Sequence, residues 1–274
     1  MLQLQLLEWP RWAQMWALAF ALYFGCKWLT WQQAPIRGAA AWRHPAYLLA
    51  WPGMDAASFL QQSPLTNAVH CRPTEWFAGI AKLASGAFLL FGVARLIPER
   101  HAYLSGWIGG TGVVLILHFG LFHLLSCGWR RIGIPARPLM NRPLTSATLS
   151  DFWGRRWNTA FRDLTHRLIF RPCASRFGTG LGLTVSFLVS GAIHDLVISV
   201  PARGGYGGPT IYFAIQGVGV LIERSAFGRK AGLQAGISAR VFAFVILLAP
   251  APLLFHRPFM LGVMVPFMRA LGAL

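Results

Sequence analysis

The stretch from Ser150 to Arg171, SDFWGRRWNTAFRDLTHRLIFR, organises the reading of this chain. On a helix, Trp153, Trp157, Phe161, Leu164 and Leu168 follow one another at steps of four, four, three and four, so they share one face. Arg155, Arg156, Thr159, Arg162, Asp163 and His166 fall on the opposite face, with Asn158 near the border. A helix with bulky aromatics on one side and arginines on the other suits the surface of a membrane rather than its interior. Ser150 is placed to cap it, Asp151 to sit as a favourable anion in its first turn, and Pro172 to stop it. An interfacial helix without chemistry satisfies the same pattern.

Composition says which solvent that helix meets. The 274 residues are 55% hydrophobic, 14% aromatic and only 12% charged, with a mean hydropathy of +0.50. That is too apolar for a soluble domain, and the expectation is an integral membrane protein. Lys and Arg number 25 against 8 Asp and Glu, a formal charge of +17. In a soluble chain this excess suggests nucleic acid. Here the arginines lie between apolar runs, where anionic headgroups and the cytoplasmic bias of Lys and Arg account for them. No nucleic-acid motif accompanies the charge, so no nucleic-acid partner is expected. Cys26, Cys71, Cys127 and Cys173 are dispersed without CxxC spacing. They read as buried small apolar residues, with neither a zinc site nor a disulfide framework indicated.

Along the chain, no basic leader or small-residue cleavage pattern marks a signal peptide at the N-terminus. Residues 12–29 are long enough for a first span, with Lys27 near its end free to snorkel. The run from Ala46 to Met54 is too short to cross and fits a re-entrant or surface-lying piece. Spans are expected over 78–97, 104–125, 178–200, 209–223 and 237–255, with a short proline-interrupted segment at 257–271 that crosses or only dips in. Glycines at 79, 86, 92, 109, 110 and 112 permit close helix contacts. His118 and His123 are five apart, which does not place two ligands on one helix face, so a polar lining is favoured over a metal site. The arginine-rich segment Gly128 to Phe177 is expected in the cytoplasm, with the glycine-rich link Pro201 to Gly208 on the other side. That link has no GK[ST] and is not read as a phosphate-binding loop. The whole reads as one membrane domain, 1–274: an all-α, polytopic helix bundle with an amphipathic interfacial helix at 150–171.

Two short motifs point further. FWGRRWN at Phe152 to Asn158, followed by SGAIHDL at Ser190 to Leu196, resembles the paired signature of membrane-bound O-acyltransferases, most closely their wax-synthase-like branch. The resemblance covers roughly the second half of the chain. It implies that Asn158 and His194, 36 residues apart, are the active-site pair. HDL stands where the family more usually has HEL, and few spans precede the signature, which leaves the acceptor-binding region open.

On its own chemistry, His194 is an ionisable group at the end of a nearly uncharged helix, which marks either a site or a packed histidine bonded to a backbone carbonyl. Asp195 points about 100° away on a helix, so no His-Asp dyad is expected. With the resemblance, the expected function is an acyl-CoA-dependent O-acyltransferase esterifying a lipophilic alcohol by direct transfer. His194 would act as general base and the Asn158 amide as an oxyanion donor or positioning group. Trp153, Arg155, Arg156, Trp157 and Asp195 are the expected substrate-binding residues, the arginines toward the phosphates of coenzyme A. No metal and no cofactor are expected, acyl-CoA being a co-substrate; the partners are acyl-CoA, a lipophilic alcohol and membrane lipids. The expected location is a bacterial inner membrane. Two other readings compete: a non-catalytic carrier or assembly protein with a polar path lined by His194 and Asn158, and a binding module for anionic lipid or nucleic acid.

Overall fold

The computed structural model describes residues 9–35, 38–61 and 71–274, and every regular element among them is helical. In lipid, each backbone N–H and C=O must find its partner inside the protein, and a helix supplies that from the segment itself. The reading of residues 1–8 as lacking a leader lies outside the described residues. Among the described residues, four helices have the length and apolarity to cross a membrane: Pro73–Leu96, Glu99–Arg131, Thr179–Ala202 and Gly236–Leu254. The chain is an all-α, multi-pass integral membrane protein. Arg11–Gln32 and Gly208–Arg224 are also helical, over 22 and 17 residues.

The chain divides into two compact units. One comprises Phe20–Met140 and Met268–Leu274. In it, a Cβ on Gly86 would stand 2.7 Å from the carbonyl oxygen of Gly112, and one on Gly112 equally close to that of Gly86. Only glycine lets these two helices approach so far. Lys27 does not snorkel. Its ammonium is buried, donates to the Gly53 carbonyl at 2.7 Å and lies 3.1 Å from the centre of the Tyr47 ring. A carbonyl and a π face replace the water a snorkelling lysine would seek.

The cysteines depart from expectation. Cys71 and Cys127 are joined in a disulfide, and Cys26 and Cys173 are free and only half-buried. The bridge ties the chain entering Pro73–Ala87 to Phe122–Arg131, beside an ion pair at 2.7 Å between buried Arg130 and half-buried Glu75. A sequence separation of 56 residues and the absence of a CxxC spacing hid the pair. Disulfides persist on the oxidising side of a membrane, whereas an arginine-rich segment marks the reducing side. Cys127 adjoins Gly128, so one labelling experiment reads both properties. Alkylation of the denatured, unreduced protein is expected to modify Cys26 and Cys173 alone. In a background lacking these two, cysteines placed at Arg142 and Tyr206 are expected to label from opposite sides of the membrane. Labelling from the same side would overturn the sidedness drawn from charge.

The other unit comprises Met1–Ala19 and Asn141–Phe267 and holds both sequence motifs. Its core gathers Leu149, Phe152, Val220, Ala243 and Leu247, with Trp153, Trp157, Phe187 and Phe244 packed around them. Pro250 has no N–H to give the carbonyl four residues back. The carbonyl of Ile246 accepts instead from Gln216 Nε2 at 2.8 Å, and that of Leu247 from the Tyr212 hydroxyl at 3.3 Å. The proline break thus welds the Gly208–Arg224 helix to Gly236–Leu248. Ile237, Val241, Val245 and Leu248 lie exposed on the latter, as lipid-facing side chains would.

Candidate active site

The motif does not begin as expected. Thr148, not Ser150, is the cap: its hydroxyl accepts the Asp151 amide at 3.0 Å. Ser150 instead accepts from Arg224 Nε at 3.1 Å. The carboxylate of Glu223, buried at 3% exposure, accepts the amides of Leu149 at 2.7 Å and Ser150 at 3.2 Å. Asp151 accepts the Ala147 amide and pairs with both Arg155, at 3.0 Å, and Arg156. Two anions therefore occupy the positive end of this turn. Burial works to raise the pKa of Asp151, but the hydrogen bonds from Arg156 and Ala147 and the two guanidinium charges outweigh it and hold the carboxyl below its ordinary range. Replacing Glu223 by leucine would strand the buried Leu149 amide, at about 1–3 kcal/mol, and leave the half-buried Ser150 amide without this partner. The variant is expected to unfold at a clearly lower temperature by tryptophan fluorescence in detergent. An unchanged Tm would mean that water reaches these amides.

The predicted helix over 150–171 is broken. A wide π-helical turn, Phe152–Arg156, closes with the Trp157 amide donating to the Phe152 carbonyl at 2.9 Å. Trp157 is then extended, and Asn158 takes a left-handed conformation at φ 40°, ψ 61°. The next helix, Thr159–Thr165, starts from there. Asn is among the few residues besides glycine that tolerate this backbone. The aromatic stripe consequently does not lie on one face. Trp153 and Trp157 pack into the core, Leu164 is buried, and Phe161 and Leu168 are exposed. Pro172 does not stop a helix: the helical run passes from the wide turn His166–Phe170 straight into Arg171–Phe177.

Asn158 is thus presented at a break rather than along a helix border, and its carboxamide is not used in capping the helix that follows. Five residues earlier, Trp153 packs on Phe187 and Phe213, each with ring centres 5.7 Å apart, while its Nε1 donates to Gln216 Oε1 at 3.3 Å. Trp157 stacks on Phe152.

His194 ends the helix Thr179–His194 and meets the same Phe213, with ring centres 4.5 Å apart. Phe213 is therefore the residue through which the two motifs meet. The Nδ1 of His194 lies 2.7 Å from the Ser190 carbonyl oxygen. A carbonyl only accepts, so Nδ1 carries the proton and the lone pair of the neutral ring sits on Nε2. Here the bland outcome foreseen for this histidine, a backbone carbonyl partner, also fixes the tautomer a base needs. A Cβ on Gly191 would stand 2.6 Å from Thr210 Cα, so glycine allows the contact that seats His194 beside Gly208–Arg224. Asp195 does not bond the imidazole. Its oxygens accept from Ser199, Gly207 and Thr210.

Residues 136–215, which include Asn158, His194 and Phe213, match the family model described as membrane bound O-acyl transferase. The family match is confined to this segment. Over 109 residues the chain is 32% identical to a probable long-chain-alcohol O-fatty-acyltransferase 9 of Arabidopsis thaliana, covering 35% of this chain and 32% of that protein. It is 28% identical over 119 residues to the long-chain-alcohol O-fatty-acyltransferase of Simmondsia chinensis, covering 39% and 34%. With an acyl-CoA–sterol O-acyltransferase 1 of Arabidopsis thaliana it shares 34% over 74 residues, covering 24% and 21%. The chain spans between about a fifth and a half of the length of the curated relatives it matches. No solved structure matches it.

Within the matched segment and just beyond it, the structure adds residues the sequence reading missed. Phe213 and Gln216 support Trp153, and Glu223 holds the motif's first turn. Gln216 and Glu223 were legible as polar residues in an otherwise apolar run. Phe213 carried no signal, being one apolar residue among many. His118 packs on Phe122, with ring centres 5.3 Å apart.

Proposed function

We propose that this chain is an acyl-CoA-dependent O-acyltransferase that esterifies a lipophilic alcohol by direct transfer. The observation that carries this reading is the tautomer of His194, held by the Ser190 carbonyl with Nε2 left as the acceptor, inside the segment that matches the family. An alcohol is a weak nucleophile until its proton is taken. Nε2 takes that proton as the alcohol oxygen bonds to the thioester carbonyl carbon. The tetrahedral oxyanion is met by the Asn158 amide, a neutral donor that stabilises charge without competing for the proton. Collapse of the intermediate breaks the C–S bond. The coenzyme A thiolate leaves with the proton from the imidazolium, giving ester and free thiol. No covalent enzyme intermediate forms, and the scheme calls for no metal and no further cofactor.

In this reading Trp153 and Trp157, packed on the core beside the break at Asn158, would supply apolar surface to the acyl chain. Of the two arginines, Arg156 is held between Asp151, Thr145 and the Arg142 carbonyl. Arg155 keeps 77% of its side chain exposed, although paired with Asp151, and is the better candidate for a coenzyme A phosphate. The relatives named for long-chain and for sterol alcohols frame the acceptor as a lipophilic alcohol. They are plant proteins, and lend the bacterial inner-membrane expectation no support. The test is ester formation by purified protein from palmitoyl-CoA with hexadecanol or cholesterol. Failure with every alcohol by well-folded protein would favour the non-catalytic carrier.

A further inference from the structure

His256 is used by nothing in the scheme above, yet it is buried at 8% exposure in the unit that holds both motifs. Its Nδ1 accepts the Phe259 amide at 3.2 Å, capping the turn Arg257–Phe259. In the neutral ring the proton therefore sits on Nε2, which stands 3.1 Å from Ser199 Oγ. Ser199, fully buried, donates its own proton to Asp195 Oδ1 at 2.8 Å. Donation thus runs in one direction, from His256 through Ser199 to Asp195. The same carboxylate accepts the Gly207 amide at 2.9 Å, the Thr210 amide at 3.1 Å and the Thr210 hydroxyl. Two donors converge on each oxygen, which fills its acceptor capacity against substrate.

The glycine-rich link is moulded over this histidine. A Cβ on Gly205, whose φ is +73°, would stand 2.3 Å from the His256 ring, and one on Gly208 would stand 2.6 Å from the Leu253 carbonyl oxygen. Glycine is required at 205 for both backbone and space.

We propose that His256, Ser199 and Asp195 form a positioning relay that holds His194 in register with Phe213. It rests on the reading of His194 as the base. Asp195 directly follows His194 and opens the π-helical turn Asp195–Ser199, a wide turn of the kind found at functional sites. Through Gly207 and Thr210 it also grips the start of the helix that carries Phe213. Loosening the carboxylate therefore shifts both the imidazole and the ring it packs on.

The variants separate the two nitrogens of His256. Asparagine keeps an acceptor where Nδ1 caps Phe259 but has no donor reaching Ser199, whereas glutamine places an amide N–H near Nε2. With palmitoyl-CoA and hexadecanol, Ser199→Ala and His256→Asn are expected to lower kcat about 10- to 100-fold, the scale of a misplaced catalytic group, with KM unchanged. His256→Gln is expected to retain most of the activity. In ¹⁵N-histidine-labelled protein in lipid nanodiscs, the His194 signal, assigned by its loss in His194→Ala, should show a single Nδ1–H form in the wild type and a mixture in Ser199→Ala and His256→Asn. An unchanged signal and kcat in those two variants would overturn the relay, as would His256→Gln falling as far as His256→Asn. A shifted signal alongside a fully active His194→Ala protein would instead overturn the base and leave the positioning contact standing.

Discussion

His194→Ala is expected to lower ester formation by at least about 10²-fold, the usual contribution of a general base, in protein that still inserts and folds. The fall should appear in kcat, because the imidazole acts on the alcohol proton in the transition state and not on the bound thioester. His194→Gln should not rescue the rate. Its amide can hydrogen-bond Ser190 or an alcohol, but it cannot accept the proton at neutral pH. His118→Ala and His123→Ala are the matched controls, since both lie in the other compact unit and should spare far more activity. Near-normal turnover by well-folded His194→Ala would return this histidine to a packing role.

Asn158 carries two burdens that substitutions can separate. Its backbone stands in the left-handed region, and its amide is the proposed oxyanion donor. Asn158→Gly keeps the backbone and removes the donor, while Asn158→Asp keeps the size and sets a negative charge beside a developing one. Both are expected to cost about 10²–10³-fold in kcat, as for a lost oxyanion-hole donor. Asn158→Ala should lose activity to a similar extent and about 1–2 kcal/mol of stability as well, because a Cβ is crowded in this conformation and alanine has no side chain to offset it. Paired measurements of kcat and Tm decide the matter. An active Asn158→Gly protein would show that the residue serves only to turn the chain. If Asn158 and His194 act as a unit, the double alanine variant should be little worse than the worse single one.

Much of the candidate site was proposed from the sequence before any fold was known, and the parts that were not share a cause. The apolar runs and the scarcity of charge dictate helices, because a chain in lipid must satisfy its own backbone. The paired motifs picked out Asn158 and His194, and the 100° step of a helix correctly kept Asp195 off the imidazole. Periodicity, however, assumes that the helix continues. It ran straight through Trp157 and Asn158, where a wide turn and a left-handed residue break the chain, and so it put Phe161 and Leu168 on a face with Trp153 that does not exist.

Helical spacing relates a residue to neighbours three and four positions away, and to no others. The bond from Gln216 to the Ile246 carbonyl, the grip of Glu223 on Leu149, the Cys71–Cys127 bridge and the contact of His256 with Ser199 span 30, 74, 56 and 57 residues. Each depends on which groups the packed helices bring together, as they bring Gln216 to the carbonyl opposite Pro250. The residue types that would carry the chemistry are therefore written locally. The tautomer, the turn and the relay that would make them work arise from helices meeting, where a group with no water to turn to must take the donor or acceptor its neighbour presents.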